Sequence, residues 1–220
     1  MIRDLLHNEN GMMLIARIFV LLVCFPVHEC AHAWTADRLG DPTGRRAGRI
    51  TLNPFRHLDY MGTVFILLAG VGYAKPVPVN IRNFRHRKRD FALTALAGPI
   101  SNLLMAALFL LLIRMLLHNF PVSGEYAEYG QLALRLLTYA AYINTSLAVF
   151  NLLPVPPLDG SRVLTAFLPD GAYYGILRNE RYVMGILLIG MTVLGRMGYS
   201  PVGYMTSGTF NLLYRFIVAG

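Results

Sequence analysis

Of the 220 residues, 55% are hydrophobic and only 15% are charged, against about 25% charged in an ordinary soluble domain. Charge this sparse, set among long apolar runs, argues against a soluble globular chain and for an integral membrane protein built as one bundle. The net charge of +8 comes without any basic-aromatic motif, so nucleic acid is excluded as the expected partner and cationic loops that orient a membrane protein explain it better.

Residues 1–10 are polar and mixed in charge, a short amphipathic or disordered lead-in. Gly11 to Trp34 is predicted as the first spanning helix, with Arg17 near its outer end, where it can snorkel. Ala31-His32-Ala33 imitates a signal-peptide cleavage site, but the lead-in carries Asp4 and Glu9 beside Arg3, and a charged glutamate precedes the site. Cys24 and Cys30 both fall in this helix and are too few for a disulfide framework, so packing is their expected role.

From Gly40 to Asp90 the chain is rich in Pro, Gly and Arg and has no clean span. Arg49 to Leu52 and Ala74 to Ile81 have strand character, the second confined to a sheet edge by Pro76 and Pro78. Between them, residues 63–71 are apolar but short. Nine helical residues rise about 14 Å, roughly half a hydrocarbon core, so a re-entrant or interfacial segment is expected.

Phe91 to Leu117 and Leu132 to Leu153 are the second and third predicted spans. Tyr182 to Met197 is a short fourth, and a fifth helix is expected from Val202 to Val218. The fold class that follows is a membrane all-α bundle, a three-helix core over about 11–168 with further helices over about 170–220, plus a small β element in the 40–90 loop. The chain reads as a single domain over 1–220. That loop carries ten Lys and Arg residues, whereas the loop after the second span carries Glu125 and Glu128 and no cation. The 40–90 loop is therefore expected in the cytoplasm, which brings the end of the first helix and the end of the third span to the same side.

The chemistry lies at those two ends. His28, Glu29 and His32 form His-Glu-x-x-His. Histidines four apart share a helix face and can meet one metal ion, and the adjacent glutamate can reach a water there as general base. Ionisable side chains inside an apolar segment are costly and usually functional. A catalytic zinc site commonly takes three protein ligands, so a third must come from elsewhere. The best candidate is Asp159 in Asn151-Leu-Leu-Pro-Val-Pro-Pro-Leu-Asp159-Gly160, where three prolines stop the third helix and the glycine permits a sharp turn. Its alternative role is capping a following helix, Ser161 to Leu168. Asn151 can donate a hydrogen bond to a developing oxyanion, or simply satisfy backbone at the helix end.

The pair HECAH and NLLPVPPLDG resembles the site-2 protease family of intramembrane zinc metalloproteases. Leu52-Asn-Pro54, His57-Leu-Asp59-Tyr-Met-Gly62-Thr63, Gly72 to Val79 and Ala97-Gly-Pro99-Ile-Ser-Asn102 extend the resemblance through about residues 11 to 168. It implies a three-helix core in a bacterial cell membrane, one zinc ion on His28, His32 and Asp159, and Glu29 as acid/base with Asn151 as helper. It also implies a transmembrane protein substrate. The chain resembles the short branch, without a PDZ or CBS domain. Residues 77–81 offer an edge for strand addition by an unwound substrate, or form a plain structural loop edge. The competing classes are a metal transporter, which would distribute ligands along a path through the bilayer, and an inactive membrane-interaction protein, which would lack a ligand or the base. His7, His57, His86 and His118 fall outside the spans, and all four positions of the proposed site are present.

Overall fold

The computed structural model describes residues 8–59, 64, 75–119, 127–169 and 180–220. Three long helices form its centre: α1 (Glu9–Arg38), α3 (Arg87–Asn119) and α4 (Ala127–Asn151). Between α1 and α3 lie a short helix α2 (Thr43–Arg46) and 3-10 turns at Pro54–Arg56 and Ile81–Asn83. After α4 come α5 (Asp159–Thr165), α6 (Glu180–Arg196) and α7 (Pro201–Tyr214), the last running into a π-helical turn, Arg215–Ala219. The three central helices are long and apolar enough to cross a membrane. Neither α6 nor α7 reaches that length alone; residues 185–196 and 201–219 form a pair bent by 80°, which would make a fourth, broken span. The sequence predicts a short fourth span over 182–197 and a fifth helix over 202–218; both helices are present, and only as a bent pair would they make a span.

The central helices alternate in direction and pack through small residues. Ala16, Ala33 and Ala36 of α1, Ala95 and Ala106 of α3, and Ala140, Ala141 and Ala148 of α4 are all buried. In lipid there is little hydrophobic drive between helices, and such residues let backbones approach closely enough for dispersion to hold them. Larger side chains fill the half away from the loop arginines: Val20, Phe109, Leu110 and Ile113 form a core against which Phe210, Leu213 and Ile217 pack. Arg114 donates to the Ile217 carbonyl at 2.9 Å, tying the chain's end to α3.

Two irregularities shape α1. Residues Val20–Cys24 form a π-helical turn directly before Pro26. Proline cannot donate to the carbonyl four residues back and its ring crowds that group, so a widened turn accommodates it. At the other end Gly40 takes φ +109°, and the Asp41 N–H reaches back to the Ala36 carbonyl at 2.9 Å, closing the helix with a glycine stop.

Among the described residues there is no β-strand. Residues 49–52 are irregular, and 75–80 form no ladder; the prolines bias Lys75 and Val77 towards extended backbone, and Asn80 is extended. The alternation of Val with Pro looks like a strand, but Pro76 and Pro78 have no N–H and break any ladder. The apolar segment 63–71 lies outside the described residues apart from Val64.

The chain after α2 instead folds back along α1 at residues 49–57. From Arg49 it runs along α1, with the Thr51 backbone facing the Cys30 thiol and Pro54–Arg56 beside the π-helical turn, past the level of His28. It returns at Lys75, whose N–H donates to the His57 carbonyl at 3.1 Å. Side chains supply what the irregular backbone lacks. Asn53 Oδ1 accepts from the Phe55 N–H at 3.0 Å, His57 Nε2 meets the Thr51 carbonyl at 2.9 Å, and buried Arg49 donates to the Arg56 carbonyl at 2.7 Å. Such backbone is tolerated at depth only where protein satisfies it.

Candidate active site

α1 presents His28 and His32 on the face that meets α3. There α3 carries Gly98, and the fit leaves no room for more: a Cβ on Gly98 would overlap His32 Nε2 and lie 2.5 Å from His28 Cε1. Asp159 arrives from the other side, at the first position of α5. The break between α4 and α5 is sharp because a Cβ on Gly160 would collide with the backbone of Leu152 and Leu153. The cap residue of α5 is Leu158, and no side chain caps the helix. Asp159 therefore does not cap it; the carboxylate turns towards the two imidazoles.

The geometry is that of a metal-ligand triad. His28 Nε2 and His32 Nε2 lie 3.1 Å apart, and Asp159 Oδ2 is 3.4 Å from the first and 3.2 Å from the second. Four donors placed tetrahedrally at the usual zinc bond lengths are about 3.3 Å apart. The three atoms thus form one face of such a tetrahedron, and two nitrogens with one oxygen suit zinc. His32 Nδ1 meets the Thr94 carbonyl at 2.7 Å. A carbonyl only accepts, so Nδ1 carries the proton and Nε2 offers its lone pair, the outer support typical of ligating histidines. His28 Nδ1 is buried and has no hydrogen-bond partner among the described residues.

All four motif residues are buried: His28 is 6% exposed, Glu29 7%, His32 7% and Asp159 8%. Glu29 follows His28 on α1, inside the bundle. Asn151 is the last residue of α4 and is half-buried, eight positions before Asp159. His28, His32 and Asp159 are thus brought together, and Glu29 sits on the same helical turn. For Asn151 the structure shows the helix end and no hydrogen bond to the triad.

Cys24, one turn before His28, is fully buried in the apolar core and packs there. His57 serves the loop, as expected. Outside the site, Arg45, Arg46, Arg82, Arg85, Arg87 and Arg89, between the end of α1 and the first turn of α3, are all exposed. Two contributors carry no conspicuous signal in the sequence: the Thr94 carbonyl, which any residue could supply, and Gly98, whose requirement appears only once α3 packs on α1.

Fold and site together define a multi-pass membrane protein with a metallopeptidase-type ligand set. The model of peptidase family M50 matches residues 113–194, the part that contains Asp159. YwhC of Bacillus subtilis, named as a candidate zinc metalloprotease, is 38% identical over 201 residues, covering 90% of each chain. Rip2 of Mycobacterium tuberculosis, named likewise, is 29% identical over 187 residues, 79% of this chain and 67% of its own. MJ0611 of Methanocaldococcus jannaschii, also named so, is 29% identical over 140 residues, 64% of each. No solved structure matches the chain. The chain belongs to peptidase family M50 and is a zinc metalloprotease.

Proposed function

We propose that the protein hydrolyses peptide bonds within or near transmembrane segments of membrane-protein substrates. The observation that carries this reading is the His28, His32 and Asp159 triad, at tetrahedral spacing and buried between helices long enough to span a bilayer. These three residues would hold one zinc ion. Zinc bound there supplies Lewis acidity, polarising a carbonyl and bringing the pKa of water towards about 7.

The chain's own groups do the rest. Glu29 takes the proton of the attacking water and returns it to the leaving amine, as general base and then acid. Asn151, at the end of α4, donates a hydrogen bond to the oxygen on which charge develops. Thr94 holds His32 in its ligating tautomer. A helical substrate hides its carbonyls in internal hydrogen bonds, so it must unwind, and the chain at residues 77–81 supplies new partners by strand addition. The exposed arginines between α1 and α3 support placing this end in the cytoplasm of a bacterial cell membrane.

A metal transporter would need further ligands along a path, and His28, His32 and Asp159 make the one such group among the described residues. Zinc content and cleavage of membrane proteins, compared between the wild-type chain and Glu29→Gln, test the proposal. The variant is expected to keep zinc and lose cleavage by about a hundredfold or more. Cleavage that survives the substitution, or a wild-type chain that binds no zinc, would overturn it.

A further inference from the structure

Asp41 lies just past the glycine stop of α1, in what reads as a loop, and yet it is wholly buried. Its two oxygens are used differently. Oδ1 accepts from the Thr43 N–H at 3.1 Å, the Thr43 hydroxyl at 2.5 Å and the Asn83 side-chain amide at 2.8 Å. Oδ2 accepts the Asn80 N–H at 2.7 Å. The carboxylate therefore ties the end of α1 to the end of the segment 75–80, 39 positions further along the chain.

The other end of that segment is held as well. Arg49 is 6% exposed and donates to the Lys75 carbonyl at 3.2 Å as well as to Arg56. Between the two ties, Val77 is buried beside Gly44, which also touches Ala33, and Val79 packs on the cluster of Ala36, Phe84 and Phe91, so the segment lies along the last turns of α1. Val77 and Val79 make no backbone hydrogen bond among the described residues. In extended chain, alternate residues turn their N–H and C=O groups to the same edge. Pro76 and Pro78 have no N–H, and Asn80, of the same parity, gives its own to Asp41. On that side Pro76 and Pro78 offer only carbonyls; on the other side Lys75 is already paired with His57 and Arg49, and beyond it Val77 and Val79 have no backbone partner among the described residues.

We propose that Asp41 is a positioning residue for substrate. By fixing Asn80 it holds residues 75–80 in place along α1, so that the unpaired backbone groups of Val77 and Val79 pair with the unwound stretch of a transmembrane substrate. The proposal rests on the intramembrane protease reading and names the device that sets substrate register within it. Asp41 touches neither substrate nor metal ligand; it acts through the segment.

The division of labour between the oxygens supplies the test. In Asp41→Asn the amide oxygen can keep the contacts with Thr43 and Asn83, while its NH2 would face the Asn80 N–H and release the segment. Thr43→Ala removes one contact and leaves the Asn80 tie intact. The assay uses the zinc-loaded full chain in proteoliposomes and a fluorescent fusion bearing one transmembrane helix, chosen because the wild type cuts it and Glu29→Gln does not. Losing a charge-assisted bond and leaving its donor unpaired is expected to raise KM about tenfold to a hundredfold in Asp41→Asn. The kcat and zinc content stay near wild type, and Thr43→Ala changes KM by less than about threefold. An unchanged KM, a fall confined to kcat, or equal losses in the two variants would overturn the proposal. If Asp41→Asn fails to accumulate, a benzophenone side chain placed at exposed position 78 of the Glu29→Gln chain gives a second reading. Capture of the fusion supports the proposal and absence of capture overturns it. Because the fusion is defined by Glu29-dependent cleavage, failure here leaves the protease assignment standing.

Discussion

Gly98→Ala adds a single methyl group, and the site geometry makes it one of the most damaging small changes available. The new Cβ would overlap His32 Nε2 and stand 2.5 Å from His28 Cε1 and 2.6 Å from His32 Cε1. Ordinary carbon contacts begin near 3.5 Å, so either the imidazoles or α3 must move by about 1 Å. A zinc site tolerates about 0.2 Å in its ligand distances, so imidazole motion of that size breaks the triad. If α3 backs away instead, it carries Thr94, one turn earlier, off His32 Nδ1, a contact of 2.7 Å. Either route is expected to lower zinc affinity about a hundredfold and cleavage about a hundredfold or more. Overpacking itself costs about 1–3 kcal/mol, too little to melt a bundle whose core lies mostly elsewhere. The assay is zinc content after dialysis against a graded chelator, with helicity followed by circular dichroism on the same samples. A Gly98→Ala chain with wild-type helicity, zinc affinity and cleavage would refute the reasoning.

Gly160→Ala acts from the other side: its Cβ would meet the backbone of Leu152 and Leu153, which cannot rotate away. Asp159 is then displaced, and zinc affinity is expected to fall about tenfold or more in the same dialysis, with a stability loss of about 1–3 kcal/mol. Asp41 gives a pH signature. Burial pushes its carboxyl up, but the hydrogen bonds from Thr43, Asn83 and Asn80 outweigh that and hold it below the ordinary carboxylate range. Its stabilisation is therefore complete above the unfolded value near 3.9 and is lost as pH falls through the lower folded value. The melting temperature of the wild type is expected to drop below about pH 4 more steeply than that of Asp41→Asn; parallel curves would count against the hydrogen-bond account.

What could be read from the sequence was what depends on local spacing. Histidines four apart on an apolar helix specify a shared face whatever packs against it, and a run of three prolines ahead of Asp-Gly specifies a break. The placement of Asp159 on the histidine side followed from loop charge. What depended on distant contacts was not legible. Asp41 and Arg49 look like ordinary loop charges, and their use appears only when residues 75–83 fold back along α1. The Val-Pro alternation in 76–79 has the period of a strand, but prolines remove the donors a ladder needs. The two C-terminal helices were legible as apolar segments, but the 80° bend between them was not.

The packing of residues 49–57 and 75–83 along α1 bears on the proposed strand addition. A helix in that position would satisfy its own backbone and offer nothing to a peptide that has just lost its helical hydrogen bonds. An ordinary sheet edge would serve, but would carry unpaired groups on both sides into a region poor in water. The 49–57 and 75–83 arms avoid both outcomes: Asn53, His57 and Arg49 close the first arm, and Asp41 and the prolines leave one side of the second without a free N–H. Among the described residues the backbone groups of Val77 and Val79 are left unpaired, and under the proposed strand addition they set the register of the incoming peptide.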